Sequence, residues 1–184
     1  MVLFEATAEC YEMSQQIDGD VRWLVALISD TGMRLSEAAG LHINDIILDN
    51  DIPYIDLKPH PWRGLKTKGS QRQILLVGAP LCAAKRIRDT QSHPVYAFPR
   101  NNNTSTTNGN SASAAINKWL KPRVPKGCII RSFRHSMRDR LREVQCPTDM
   151  IDQIGGWSTA GVGQAYREGY KLNMKWSWAV DATN

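Results

Sequence analysis

Two tyrosines, Tyr166 and Tyr170, follow Trp157 in the stretch GGWSTAGVGQAYREGY, residues 155–170. A phenol has a free pKa of about 10, so it attacks an electrophile well only where nearby cations favour its ionised form. The stretch alone does not decide between a nucleophile and an ordinary packing residue. The decision depends on the charges the rest of the chain brings to it.

Those charges are concentrated in three places. In RSFRHSMRDRLREVQ, residues 131–145, Arg131, Arg134, His135, Arg138 and Arg142 recur at three- or four-residue spacing. They lie opposite an apolar stripe of Phe133, Met137, Leu141 and Val144, as an amphipathic helix requires. A solvated face is the ordinary reading of such a pattern, and Asp139 and Glu143 can pair with part of it. Five arginines within residues 131–142 are nevertheless dense, and a forked guanidinium matches phosphate oxygens two at a time. Arg34, in TGMRLSEAAGL (31–41), stands at the start of a helix, where a cation opposes the helix dipole at a cost of roughly a few tenths of a kcal/mol. LKTKGSQRQ (65–73) reads as a hairpin turn in which Lys66, Lys68 and Arg72 either blunt a sheet edge or reach a phosphate.

The elements that must position these groups follow from periodicity. DVRWLVALIS (20–29) places Val21, Leu24, Val25 and Ile28 at helical spacing and stops at Asp30-Thr31-Gly32; a second helix runs through RLSEAAGL to Gly40. IILDNDIPYIDL reads as strand, turn and strand, and RQILLVG as a further strand. The connections are too short for helical crossovers, so the sheet is small and antiparallel. Pro80 opens a helix to about Arg88, the polar stretch 99–111 reads as a mobile loop, SAAINKWL as a short helix and KPRVPKG as a basic linker. Pro147 ends the arginine-rich helix. PTDMIDQIGG follows as a short helix capped by Thr148 or Asp149, then a helix containing Tyr166 and a last one near 171–181. The fold class expected is α+β, mostly helical, with one small antiparallel β-sheet.

Composition limits the partners. The chain of 184 residues suits one domain, and its formal charge of +5 is compatible with a polyanion without demanding one. No apolar run is long enough for a transmembrane helix, and MVLFEATAEC lacks the basic start of a signal peptide. The four cysteines, at 10, 82, 128 and 146, form no CxxC pair, which argues against a zinc site or disulfide framework and for a reducing, cytoplasmic setting. No acidic metal cluster is visible, so the expected metal is none.

Taken in order, TGMRLSEAAGL, KTKGSQR (66–72), RSFRHSM (131–137) and GGWS with Tyr166 nine residues after Trp157 resemble the motifs of the tyrosine recombinases, the phage integrase family. The resemblance runs from about residue 20 to about residue 170. It implies an integrase-type catalytic domain that cuts and rejoins DNA strands through a 3′-phosphotyrosyl intermediate, without a cofactor. It implies catalytic roles for Arg34, Lys68 (with Lys66 the alternative general acid), Arg131, Arg134, Trp157 and the nucleophile Tyr166. Tyr170 falls four residues too late and packs or contacts DNA. Lys66, Arg72, His135 and Arg138 are the expected DNA contacts. The pattern departs from the family at Arg131, where a histidine is usual; arginine stays protonated and accepts no proton, so it can act only through charge. Partners implied are double-stranded DNA and other protomers in a synaptic tetramer.

Two expectations concern organisation. With 33 residues before Arg34, the chain reads as one catalytic domain over 1–184 with no separate N-terminal DNA-clamping domain, and residues 171–184 as a segment that docks on its own core or on a neighbouring protomer. Gly161 and Gly163 each weaken a helix by roughly 1 kcal/mol, which either loosens the nucleophile segment or permits close packing. The same tyrosine chemistry also serves a type IB topoisomerase-like nicking enzyme, and a non-enzymatic DNA-binding remnant impaired at Arg131 is the alternative of a different class.

Overall fold

The computed structural model describes residues 19–67, 70–157 and 169–183. Lys68, Tyr166 and the glycines at 161 and 163 lie outside the described residues. Helices dominate: α1 (Asp20–Ser29), α2 (Leu35–Ala39), α3 (Ala79–Thr90), α4 (Gly109–Leu120), α5 (Ile130–Glu143), α6 (Thr148–Gly155) and α7 (Leu172–Asp181). Three short strands, β1 (Ile46–Ile47), β2 (Tyr54–Leu57) and β3 (Arg72–Leu75), stand between α2 and α3. They form one antiparallel sheet in sequential order, with Ile55 opposite both Ile46 and Ile74, and Leu57 opposite Arg72. This is the expected α+β class.

The apolar pattern explains the layout. Every residue of α1 from Trp23 to Ser29 is buried, so the helix has no polar face and must sit centrally. It packs against α2, α3, α4 and α5. Leu24, Leu27 and Ile28 join Ala83, Ile87, Ile116, Leu120 and Ile130 in the main core. The stripe read along α5 divides: Phe133 packs on that main core, while Met137 and Leu141 build a second cluster with Met150, Ile151 and Ile154 of α6, joined at its edge by Val144 and Trp157. In β2 the buried Ile55 and Leu57 alternate with the half-buried Tyr54 and Asp56, the period of two that a one-sided sheet imposes.

Two arginines outside the expected site serve the frame. Arg140 of α5 pairs with Asp30 at 2.7 Å and donates to the carbonyls of Ser29 at 2.7 Å and Ala182 at 3.2 Å, tying α5 to the ends of α1 and α7. Arg63 is buried, pairs with Asp45 at 3.3 Å and donates to the Glu37 and Gly40 carbonyls at 3.1 Å each. A five-residue helix such as α2 is too short to persist alone, and Arg63 neutralises its carboxyl end.

The structure differs from the sequence reading in several places. Helix α4 starts at Gly109, inside the stretch read as a mobile loop. That stretch is also pinned: the Asn102 side-chain amide donates to the carbonyls of Ala39 at 2.7 Å and Phe98 at 2.8 Å, and the Asn103 carboxamide oxygen accepts from the backbone of Ser105 and Thr106. Neither Thr148 nor Asp149 caps α6; Pro147 holds that position. Cys82 is disulfide-bonded, against the expectation of unpaired thiols, while Cys128 and Cys146 are free. Helix α7 packs on β3 and α5, with Ala179 buried against Leu75 and Val77, so the C-terminal segment rests on the chain's own domain in this structure. Among the described residues, no helix is long and apolar enough to cross a membrane.

Candidate active site

A cleft of about 470 Å³ opens between α2, the 65–67 segment, the start of α4 and the start of α5. Arg34, Lys66, Arg131 and Arg134 all line it, together with Ser36 and Ser113. Arg34, Lys66 and the Arg131–Arg134 pair come from three distant parts of the chain yet share one cavity.

Arg34 is the cap residue of α2, in extended backbone, rather than a residue of the helix. Its own N–H donates to Glu37 Oε2 at 2.9 Å, and its guanidinium donates to Glu37 Oε1 at 2.6 Å, Ser70 Oγ at 3.1 Å and the Gly156 carbonyl at 3.3 Å. This is a capping box with a guanidinium added, and it removes the dipole conflict noted in the sequence: the acid the helix start prefers is Glu37. The Glu37 side chain is 3% exposed and is shared with Arg72, at 3.3 Å. Burial pushes the Glu37 carboxyl up, but Arg72 and then the hydrogen bonds and charge of Arg34 outweigh it and hold it below its ordinary 4.5.

Arg134 and Arg138 project from one face of α5 onto Trp157. Their guanidinium carbons stand 4.6 Å and 5.3 Å from the indole ring, within cation–π range. Arg134 also donates to the Gly32 carbonyl, and Arg138 pairs with Asp152 at 3.4 Å. Burial first, then the charges of Arg34 and Arg72, push the Arg134 guanidinium down to about 10. Arg34, Arg72, Arg134 and Arg138 thus stand against two carboxylates, Glu37 and Asp152. An anion entering the cleft relieves that repulsion, so the site is preorganised for negative charge.

The remaining expected residues fall in different environments. Arg131 is exposed at the cleft and its side chain forms no hydrogen bond or ion pair among the described residues, and Lys66 is also exposed there. His135 is exposed on α5, outside the cleft lining. Arg72, expected at a DNA surface, is turned inward with its side chain only 6% exposed. Trp157 is half-buried and flat against Gly155, where an added Cβ would lie 1.8 Å from the ring. Tyr170 packs beside the second cluster, and its hydroxyl donates to Asp149 Oδ2 at 2.6 Å, which commits its proton to a structural bond. Among the described residues, no group of three or more His, Cys, Asp or Glu is arranged to hold a metal ion.

The sequence reading missed Glu37, Ser70 and Asp152. Glu37 was visible as the acid three residues after Arg34, the spacing of a capping box. Ser70 and Asp152 carried no comparable signal.

Residues 5–172 match the family model described as the phage integrase family. A comparison with curated proteins finds no match. Among solved structures, the chain is similar to an integrase of the Tn1549 transposon in complex with circular intermediate DNA, at 17% identity and a TM-score of 0.51. The likeness covers 90% of this chain and 63% of that one, and at such low identity it speaks for the fold.

Two predictions follow from the geometry of the site. Gly155→Ala pushes the indole of Trp157 off its seat, and the overpacking costs about 1–3 kcal/mol in urea unfolding; a variant as stable as wild type would show that the ring has room to move. Glu37 supports the fold as the anion, so its contribution is complete above the ordinary value of 4.5 and is lost as pH falls through the lower folded value. The stability gap between wild type and Glu37→Gln is therefore wide at neutral pH and narrows on acidification below 4.5, as thermal melts across that range will report.

Proposed function

The chain belongs to the phage integrase family, and on that premise we propose that it is the catalytic domain of a site-specific DNA recombinase, cutting and rejoining strands through a tyrosyl intermediate. The observation that carries this reading is the convergence of Arg34, Lys66, Arg131 and Arg134 on one cleft. The circular intermediate DNA bound to the structurally similar transposon integrase supports a DNA substrate.

In the proposed reaction, a nonbridging oxygen pair of the scissile phosphate sits against Arg34 and Arg134, while exposed Arg131 adds a third guanidinium. The hydroxyl oxygen of Tyr166 attacks phosphorus, its proton passing to solvent. The bond from phosphorus to the 5′-oxygen breaks, and Lys68, or Lys66 from the cleft wall, protonates the leaving oxygen. A 5′-hydroxyl of another strand then attacks the phosphotyrosine and expels the phenol, so each step exchanges one ester for another. Negative charge grows on the phosphoryl oxygens in the transition state, and fixed cations in a half-buried cleft stabilise it without reorganisation. Trp157 gives Arg134 and Arg138 an apolar face to lie on. Arg131 cannot accept a proton, so its contribution is electrostatic.

A nicked suicide substrate tests the reading. Wild type traps a covalent protein–DNA adduct, Tyr166→Phe traps none, and Tyr170→Phe still traps it. Absence of adduct from wild type, or its persistence in Tyr166→Phe, overturns the assignment.

The working unit proposed is a synaptic assembly of four protomers on DNA. Met174 and Trp176 on α7 are 47% and 42% exposed, although Ala179 of the same helix is buried on the sheet, and they supply apolar surface for a neighbour. Trp176→Glu accordingly weakens DNA-dependent multimers in crosslinking while adduct formation on a single site persists; unchanged multimers would place the contact elsewhere.

A further inference from the structure

Arg72 looks, in sequence, like one more cation for DNA. Its surroundings say otherwise. Nε donates to the Ile154 carbonyl at 3.2 Å, Nη1 to the Ser70 carbonyl at 2.9 Å and Nη2 to Glu37 Oε2 at 3.3 Å. Those three acceptors belong to three separate segments: the end of α6, the loop before β3, and α2. Backbone approaches closely at a fourth point, since a Cβ on Gly156 would lie 2.5 Å from Arg72 Nη1, and Gly156 is in the left-handed region at φ +61°. Any larger side chain there strains the backbone and displaces the Arg72 guanidinium.

Arg34 bonds the same three segments from the cleft side, through Glu37 Oε1, Ser70 Oγ and the Gly156 carbonyl. The two guanidiniums therefore share a scaffold, one facing solvent and the other sealed beneath it. Stability alone gives little reason for the arrangement. Burial and the charge of Arg34 both disfavour the Arg72 cation, and a well-packed apolar residue commonly replaces a buried ion pair without loss. A planar fork with fixed donors does something an apolar side chain cannot: it sets the spacing of three chain segments.

We infer that Arg72 is a positioning residue, which touches no substrate and holds Glu37, the 70 loop and the 154–156 turn so that Arg34 points into the cleft. The inference rests on the proposed recombinase reading and deepens it. It also removes Arg72 from the phosphate contacts. The loop it anchors is the one between Lys66 and β3, so the same bonds bring that loop to the guanidinium of Arg34. Ser70, fully buried, is the joint, bonded to Arg34 through its hydroxyl and to Arg72 through its carbonyl.

The test compares wild type, Arg72→Met and Arg72→Lys on two suicide substrates, one with an ordinary scissile phosphodiester and one with a methylphosphonate there. The methylphosphonate has no charge on its nonbridging oxygen and needs the aimed Arg34 guanidinium far less. Affinity for the intact duplex and its salt slope are measured alongside, after thermal melts confirm folding. The expected result is unchanged affinity and slope, with adduct formation on the phosphodiester slowed about 10- to 100-fold in both variants, as misplacement of a reacting group produces. On the methylphosphonate the variants approach the wild-type rate. A loss of equal size on both substrates overturns the inference, because a general structural defect does not distinguish them. A salt slope reduced by about one unit overturns it in favour of a direct phosphate contact. Should Arg72→Met not fold, Arg72→Lys and Ser70→Ala carry the same comparison. Absence of adduct from wild type overturns the recombinase reading and this inference together, whereas adduct in wild type with substrate-independent losses overturns the inference alone.

Discussion

One carboxylate organises the site. Glu37 is nearly inaccessible, yet it stays ionised because Arg34 and Arg72 each hold one of its oxygens. A lone buried carboxylate would cost several kcal/mol or take up a proton. A lone arginine at the mouth of a cleft would sample many rotamers. Each group makes the other affordable. The consequence for chemistry is that the cleft's first cation is not a flexible surface charge but one held at a fixed angle by an anion it cannot leave.

The same logic runs through the small helix that carries both residues. Five residues give too few internal hydrogen bonds to hold a helix together. Arg63 secures its carbonyl end and the Arg34–Glu37 pair its amide end. The site is therefore built where tertiary contacts, not intrinsic propensity, set the backbone. Arg140 applies the device again on a larger scale, linking the helix that bears Arg131 and Arg134 to α1 and to the last turn of α7. The arginines at 34, 63, 72, 134, 138 and 140 all bond to the protein itself.

This explains what could be read from the sequence. The α1 and α5 helices, the antiparallel sheet and the convergence of Arg34, Arg131 and Arg134 were legible because apolar periodicity and motif order are local or ordered signals. The inward placement of Arg72 was not legible because charge and turn position say nothing about which side of a strand faces inward; residue 72 stands opposite Leu57, whose side chain is wholly buried. Ser70 and Asp152 were silent because their importance arises from partners 36 and 14 positions away. The 99–111 stretch looked loose because its polarity resembles that of solvated loops, whereas Asn102 and Asn103 spend that polarity on backbone groups. Lys68 and Tyr166 remain readings of the sequence, since both lie outside the described residues.

The seating of Trp157 on Gly155 has a consequence for how such a site changes over generations. With the indole in place, any side chain at 155 meets it well inside van der Waals range. With a smaller group at 157, the three closest of these contacts are gone. The two positions are thus an ordered pair: residue 157 must shrink before residue 155 can grow, and the opposite order passes through a clash. The size allowed at 155 is thereby set by the group at 157, and the two positions change without strain only together.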